Sequence, residues 1–258
     1  MECAGSSLIF SKLSLREALQ GVARLGFSTV EVGALQGWAH VSPLEAAADR
    51  DTVLRDLQEA LSAARLSAIA FNAGIRGTES EQRAQVDALA AIAKAVGAHT
   101  ITIPTVKGPG IPQGEAERLR PLVRIAQGYG VHLTVETHMG TLAEDPETAA
   151  ALCLEVPGLG LTLDPSHYWA GPAQGRGWEV VLPHVRQVHL RDAGFGGGAE
   201  IQVAPGRGAV DFARVVAALR RVGQRPGFSV EYIDTIAVKG GGSVEVAAAA
   251  MRTLVKDL

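Results

Sequence analysis

The chain has 258 residues, of which 47% are hydrophobic and 20% are charged, and its net charge is -3. This charge and the lack of a basic run are untypical of proteins that capture nucleic acid electrostatically, so we expect no nucleic-acid partner. Cys3 and Cys153 lie far apart without the spacing of a zinc site, and no stretch has the length of a transmembrane helix. The sequence therefore predicts a soluble, cytoplasmic protein with no membrane partner.

Short apolar runs alternate with longer segments rich in Ala, Leu, Glu and Arg, which is typical of repeated βα units. The predicted strands are a run near 6–10, then STVEVG, LSAIAF, HTITIP, VHLTVE, LGLTLD, VRQVHL and FSVEYI. The predicted helices cover about 14–25, 51–64, 79–96, 115–129, 145–154, 210–222 and 243–254, and a loop rich in glycine and proline, 106–114, follows HTITIP. Ser14 with Glu17 has the pattern of a capping box, and Asp145 with Pro146 that of an N-cap and first-turn proline.

Eight such units over this length predict a single (β/α)8 TIM barrel, and residues 1–258 form one domain because no linker or compositional break divides them. A doubly wound sheet is the alternative. It is disfavoured because no dinucleotide-binding fingerprint follows the first predicted strand. The exposed helices of a barrel leave room for a homo-oligomer, although no sequence feature marks an interface.

Four ionisable residues lie at or beside the ends of the fifth to eighth predicted strands: Glu136, Asp164, His189 and Glu231. In a barrel the carboxyl ends of all strands open onto one face, so these side chains would converge. Three carboxylates packed without a cation would raise one another's pKa values, and a divalent metal removes that difficulty. Oxygen ligands with one imidazole suit Mn²⁺, Mg²⁺ or Co²⁺, and Zn²⁺ also fits, so the sequence predicts one divalent metal ion of undetermined identity.

Five segments together, VETH, LDPSH, VHLRD, PGRGAVDF and SVEY, resemble the xylose isomerase-like TIM-barrel superfamily of sugar isomerases and epimerases. The resemblance covers almost the whole chain. It implies that Glu136 and Glu231 are metal ligands that also act as acid and base, and that His167 contacts the substrate. Arg191 and Arg207 are further candidates for binding a small sugar or polyol substrate.

A metal that binds adjacent carbonyl and hydroxyl oxygens acidifies the C–H between them and stabilises the enediolate that forms when the proton leaves. Return of a proton to the opposite face or to the neighbouring carbon makes the enzyme an epimerase or an isomerase of a sugar or sugar phosphate. Loss of a β-hydroxyl would instead make it a dehydratase of a keto-polyol such as an inosose or dehydroshikimate. A barrel that binds a polyol without turning it over is a further alternative.

The superfamily also includes endonuclease IV-type DNA repair enzymes, whose three zinc ions need additional ligands on earlier strands. Here those strands end at Asn72 and Pro104, which makes a DNA repair enzyme a remote alternative. Gln202 stands near the position where several ketose epimerases carry a substrate-binding arginine. Glu31 either points into the same mouth or forms an internal salt bridge. The candidates for an aromatic platform under a sugar ring are Trp38, Tyr168 and Trp169.

Overall fold

A computed structural model describes residues 3–108 and 112–258, so 109–111 of the glycine- and proline-rich loop lie outside the described residues. The strands are β1 Ala4–Ser6, β2 Thr29–Leu35, β3 Ala39–His40, β4 Ser67–Gly74, β5 Thr100–Ile103, β6 His132–Glu136, β7 Gly160–Leu163, β8 Val185–Leu190 and β9 Gly227–Val230. The α-helices are α1 Leu15–Arg24, α2 Pro43–Ala48, α3 Arg50–Ala64, α4 Glu79–Val96, α5 Pro112–Gly128, α6 Pro146–Glu155, α7 Pro165–Ala170, α8 Phe212–Arg221 and α9 Val244–Leu254.

Eight parallel strands close into a barrel. The order runs β1, β9, β8, β7, β6, β5, β4, β2, and β1 pairs with β2 to complete the ring. The short β3 is antiparallel to β2 and lies outside the ring. The predicted (β/α)8 TIM barrel is therefore confirmed. No helix in the described part of the chain combines the length and apolarity needed to cross a membrane.

The helices begin where the sequence places caps. The Ser14 side chain accepts from the Glu17 N–H while the Glu17 carboxylate accepts from the Ser14 backbone, which forms the predicted capping box of α1. Asp145 caps α6 with Pro146 at its first position, also as predicted. Such a cap stabilises a helix by about 1 kcal/mol, because it satisfies N–H groups that have no partner within the helix.

Three differences from the predicted elements surround the mouth of the barrel. The first strand ends at Ser6, and Ser7–Phe10 form a 3-10 helix because the Ser6 hydroxyl accepts from the Leu8 N–H and turns the chain. The loop expected after β2 contains β3 and α2. The loop expected after β7 contains α7, for which Asp164 is the N-cap and Pro165 the first residue.

A layer of threonines fills the barrel interior. The hydroxyls of Thr102 and Thr162 lie 2.8 Å apart, and the Thr134 hydroxyl lies 3.1 Å from Thr102 and 2.8 Å from Thr162. All three side chains are buried. Mutual hydrogen bonds allow these hydroxyls to be buried without an unsatisfied donor, so three adjacent strands are cross-linked inside the ring.

Candidate metal centre and active-site cavity

The four predicted ligands converge at the carboxyl ends of their strands. Each of the residues Glu136, Asp164, His189 and Glu231 offers a ligand atom that lies within 4.8 Å of those of the others, and all four are buried. Glu136 is the last residue of β6, and Asp164 and Glu231 follow β7 and β9 directly. We call this set the candidate metal centre.

The donor set fits a divalent cation. Three carboxylates and one imidazole provide hard oxygen ligands with one nitrogen, which Mn²⁺, Mg²⁺, Co²⁺ and Zn²⁺ all accept. A fourth carboxylate, that of the buried Glu31, lies behind His189. The cationic groups that contact these four carboxylates are the guanidinium of Arg191 and the imidazole of His189. The surplus of buried negative charge favours the entry of a doubly charged cation, because buried anions need a compensating charge.

His189 lies between carboxylates on both edges of its ring. Its Nδ1 is 2.9 Å from Glu136 Oε1 and 3.5 Å from Glu231 Oε2, and its Nε2 is 3.1 Å from Glu31 Oε1. Burial alone would lower the pKa of His189, but the charges of Glu231 and Glu31 and the hydrogen bond to Glu136 raise it well above its ordinary value. A metal ion must therefore displace a proton from Nδ1, which makes its binding dependent on pH.

Glu31 orients this imidazole and is absent from the wall of the cavity. Its Oε2 accepts from the Ser229 hydroxyl at 2.9 Å, and that hydroxyl accepts from Gln187 Nε2 at 3.1 Å. With Nε2–H donated to Glu31, Nδ1 faces the other carboxylates. Glu31 was predicted either to point into the mouth of the barrel or to form an internal salt bridge, and the structure shows the internal salt bridge, with His189. A charged residue in an apolar strand marks Glu31 as unusual in the sequence. Its partner His189 lies 158 positions away, so the sequence does not identify that partner.

Arg191 neutralises two of the ligands. Its Nη2 lies 2.6 Å from Asp164 Oδ2 and 3.5 Å from Glu231 Oε2, and only 2% of the side chain is exposed. Burial would raise the pKa of Asp164, but the charge of the adjacent Arg191 guanidinium lowers it. Ser166 completes the arrangement, because its hydroxyl donates to Asp164 and accepts from Arg191 Nε at 3.2 Å. Arg191 lines the cavity, as a substrate-binding residue must, but its charge is shared with the candidate metal centre.

His167 presents an unpaired N–H. Arginine has donors only, so Arg191 Nη2 donates to His167 Nε2 at 2.9 Å,. Burial lowers the pKa of His167 to about 4, which leaves the ring neutral with its proton on Nδ1. That nitrogen is buried and has no partner among residues 3–108 and 112–258. His167 lines the cavity beside the ring of His138, 3.9 Å away between centroids.

The segment PGRG closes a loop on Asp192 and leaves Arg207 exposed. The Asp192 carboxylate accepts from the N–H groups of Gly206 at 2.9 Å and Gly208 at 3.0 Å. A Cβ at position 208 would lie 2.1 Å from Asp192 Oδ1, so this approach requires glycine. Arg207 itself is exposed and absent from the wall of the cavity, so the structure does not bring it together with the other predicted site residues.

The Gln202 side chain is hydrogen-bonded to the loop that follows Glu231. Its Nε2 donates to the carbonyls of Ile233 at 3.1 Å and Ile236 at 2.7 Å, and its Oε1 accepts from the Ile233 N–H at 2.8 Å. The backbone continues the connection, because the Lys239 N–H donates to the Gln202 carbonyl and the Ala204 N–H donates to the Lys239 carbonyl, both at 2.9 Å. The amide therefore fixes two loops to each other.

A cavity of about 660 Å³ opens onto the candidate metal centre. Asn72 lines it and donates to Glu231 Oε1 at 2.8 Å, a role that sequence reasoning missed because the two residues are 159 positions apart. Of the three aromatic residues predicted for a platform, Trp38 lines this cavity, whereas Tyr168 is buried and Trp169 contacts Trp178 in a separate surface pocket. The remaining wall is mainly aliphatic.

Comparison with known proteins agrees with this architecture. A family model described as the xylose isomerase-like TIM barrel matches residues 19–256. The chain belongs to this family. No curated protein matches the sequence. The family match spans all eight barrel strands except β1, and it includes every residue of the candidate metal centre.

Solved structures of the xylose isomerase-like TIM barrel and of sugar enzymes share the fold at low identity. A family protein from Mycobacterium smegmatis in complex with magnesium is 18% identical, with a TM-score of 0.80 over 99% of this chain and 95% of that one. D-allulose 3-epimerase from Methylomonas sp. is 18% identical, with a TM-score of 0.74 over 100% and 98%. A probable 3-DHS dehydratase from Bacillus anthracis is 16% identical, with a TM-score of 0.73 over 98% of each chain.

Proposed function

We propose that the chain is a divalent-metal-dependent isomerase or epimerase of a sugar or sugar phosphate. The observation that carries the proposal is the convergence, within 4.8 Å, of three carboxylates and one imidazole from four consecutive barrel strands. Two of these residues, Glu136 and Glu231, also line the cavity of about 660 Å³. The similarity of the fold to a D-allulose 3-epimerase supports the same class of reaction.

Two glutamates that share a cavity provide both proton transfers of the reaction. A divalent cation held by Glu136, Asp164, His189 and Glu231 would polarise the oxygens of a bound ketose and lower the pKa of the C–H between them. One cavity-lining glutamate then takes that proton, which leaves the enediolate. Glu136 ends β6 and Glu231 follows β9, with β7 and β8 between these two strands. A proton returned by the second glutamate to the opposite face would give epimerisation, and its return to the neighbouring carbon would give isomerisation.

Neighbouring side chains orient Glu231 and supply a hydrogen-bond donor for the substrate. Asn72 donates to Glu231 Oε1, so it holds the carboxylate in one orientation. The Nδ1–H of His167 is buried without a partner among the described residues and would bind a substrate oxygen. A donor fixed in a buried wall stabilises charge that develops on that oxygen without having to reorganise.

Elemental analysis of the purified protein is the first test. We expect one Mn, Mg, Co or Zn ion per chain, and its loss in Glu136→Ala, because removal of one of four ligands opens the coordination shell. Glu117→Ala, an exposed residue of α5, is the matched control and should retain the metal. The loaded protein would then be incubated with ketoses in deuterated water. Deuterium at the carbon beside the carbonyl supports the proposal, and a metal-free protein that stays metal-free after reconstitution refutes it.

A dehydratase of a cyclic keto-polyol is the second candidate, favoured by one observation. Elimination is assisted by a hydrogen bond to the departing β-hydroxyl, and the neutral His167, in the wall of the cavity, has an N–H without a partner among the described residues. The proton with which the hydroxyl leaves as water would come from the glutamate that took it from carbon. The fold of a probable 3-DHS dehydratase is similar. Growth of an enone absorbance with dehydroshikimate or an inosose would identify this reaction, whereas deuterium exchange without enone would identify an isomerase or epimerase. Binding without either signal would leave a barrel that binds polyols.

DNA repair is the remaining candidate from this superfamily, and the structure gives it no support. Near the end of β4 the side chain that reaches the candidate metal centre is the amide of Asn72, which donates to Glu231. Within residues 3–108 and 112–258 the candidate metal centre is the one cluster of this kind. Incision of a duplex with an abasic site would revive this alternative.

A further inference from the structure

The mouth of the cavity carries two cations without partners. Arg76 and Lys107 follow the neighbouring strands β4 and β5, and both line the cavity. Neither side chain has a hydrogen-bond or ion-pair partner in the described part of the chain. Other exposed arginines, such as Arg83 and Arg120, do form ion pairs with a glutamate. These two positive charges are therefore free to meet a ligand.

Hydrogen bonds and a β-bridge fix the backbone at both cationic residues. Gln85 is buried, and its amide binds both polar groups of the Arg76 backbone, accepting from the N–H at 3.3 Å and donating to the carbonyl at 2.7 Å. Lys107 is paired with Thr141 in an isolated antiparallel bridge. The adjacent Gly108 N–H donates to the Gly140 carbonyl at 3.0 Å. Fixed loops of this kind lower the entropic cost of placing a charged side chain against a ligand.

The charges of the cavity are distributed unevenly. The acidic residues of its wall are Glu136 and Glu231, both in the candidate metal centre, and Arg191 is neutralised there. Beyond the centre the charged groups of the wall are Arg76 and Lys107. The neighbouring side chains are mainly aliphatic, and the hydroxyls of Thr105 and Thr141 already bond the backbone, so few hydrogen-bond partners are left for a substrate hydroxyl. Electrostatic attraction to an anion is therefore the strongest means of recognition in this part of the cavity.

We infer that Arg76 and Lys107 bind an anionic group of the substrate, a carboxylate or a phosphate, while the reacting carbons lie at the candidate metal centre. This inference rests on the proposed function. It defines the substrate class as an acidic ketose or keto-polyol and disfavours a neutral free sugar. Both cations are exposed, so their attraction is screened by solvent and weakens as salt is added.

Three compounds with one carbon skeleton test the inference: D-fructose, D-fructuronate, which has a carboxylate at C6, and D-fructose 6-phosphate. Their dissociation constants would be measured by titration calorimetry on the metal-loaded chain. We expect at least one acidic compound to bind about tenfold more tightly than D-fructose, since each exposed ion pair contributes modestly. The better of the two acids identifies the anion as a carboxylate or a phosphate.

A pair of double variants provides the control. Arg76→Gln with Lys107→Gln should abolish the preference, and Arg83→Gln with Lys94→Gln, which removes two exposed charges from α4 outside the cavity, should preserve it. Equal affinity for all three compounds, or a preference that survives the first double variant, overturns the inference. Where none of the sugars binds, inorganic phosphate serves as the probe. Weak binding that disappears in the first double variant supports the inference, and no difference from wild type overturns it.

Deuterium exchange in the same samples separates this inference from the proposed function. A preference for acids without exchange at any carbon rejects the proposed reaction and leaves the anion subsite standing. Exchange that proceeds equally with D-fructose and with both acids, in wild type and in the first double variant, supports the reaction and rejects the subsite.

Discussion

The two halves of the barrel rim differ in the chemistry they provide. β6 to β9 carry the buried ionisable groups of the candidate metal centre. β1, β2, β4 and β5 are followed by aliphatic side chains and by the exposed cations Arg76 and Lys107. Glu31 and Asn72 reach from the second half into the first and contact His189 and Glu231. Under the two proposals above, reaction and recognition fall to separate strands, with the buried Glu31 and the half-buried Asn72 linking them.

Glu231→Gln should produce the largest effect in the first half of the rim. The amide keeps the size of the side chain but cannot accept or return a proton, so deuterium exchange should fall by about a thousandfold. NMR of the substrate in deuterated water measures the rate, and elemental analysis shows whether metal is still bound. Glu147→Gln, an exposed change on α6, should exchange like wild type. A rate within tenfold of wild type with metal bound would remove Glu231 from the acid–base pair.

Arg191→Met tests the electrostatic balance of the same half. It leaves the buried Asp164 without its 2.6 Å partner, so the free energy of unfolding of the metal-free protein should fall by about 3–5 kcal/mol,. A bound divalent cation would supply the missing charge and make the loss smaller. Urea unfolding with and without metal measures both values. Arg83→Met, which breaks an exposed pair with Glu79, should cost at most about 1 kcal/mol,; a similar cost for both variants would contradict the explanation.

Glu31→Gln tests the link between the halves. A glutamine still accepts the Nε2–H of His189 but lacks the negative charge, so metal affinity should fall by about 10- to 100-fold while the fold is retained. Competition with a chelator measures the affinity, and the visible spectrum of the Co²⁺-loaded protein reports the geometry of the ligands. Ser229→Ala removes one hydrogen bond to Glu31 and should have a smaller effect. An unchanged affinity in Glu31→Gln would make the contact purely structural.

His40, which lies in the half of the rim formed by β1, β2, β4 and β5, should produce the smallest effect, a pH dependence of the stability of the fold. Its ring bridges the Ser7 hydroxyl at 2.9 Å and the Phe10 carbonyl at 3.0 Å, and burial lowers its pKa. As the pH falls, His40 therefore binds a proton in the unfolded chain at a higher pH than in the folded one. This contribution to stability is present above the unfolded pKa of about 6.5 and is lost as the pH falls below it. Thermal unfolding of His40→Gln should show a weaker dependence on pH in that range; an identical dependence would exclude His40 as its source.

Local signals in the sequence predicted most of the fold. The capping box at Ser14 and the Asp145–Pro146 pair mark helix starts through contacts between near neighbours, and the structure has both. The same Asp–Pro signal stands at Asp164 and Pro165, where β7 ends and α7 begins, although a loop is predicted after this strand. The two residues of β3 are too few to show an alternating pattern.

The candidate metal centre was predictable because a barrel brings all strand ends to one face. The contacts behind it were not predictable. Glu31 meets His189 across 158 positions and Asn72 meets Glu231 across 159, and only the closed ring determines those pairs. Arg207 lies in a recognisable motif, yet the direction of its side chain depends on how the loop closes around Asp192.

The hydrogen bonds of Gln202 limit which loops could be exchanged between barrels of this family. The segments 191–211 and 231–239 are joined by three hydrogen bonds from one side chain and two from the backbone at Lys239. A graft of either segment alone would separate the buried Gln202 amide from its partners, at a cost of about 1–3 kcal/mol for each of its polar atoms left unpaired,. Transplanted together, they carry their own hydrogen bonds into the new host. Recombination within this family should therefore place its crossover points before β8 and after Lys239, so that both segments are inherited as one cassette.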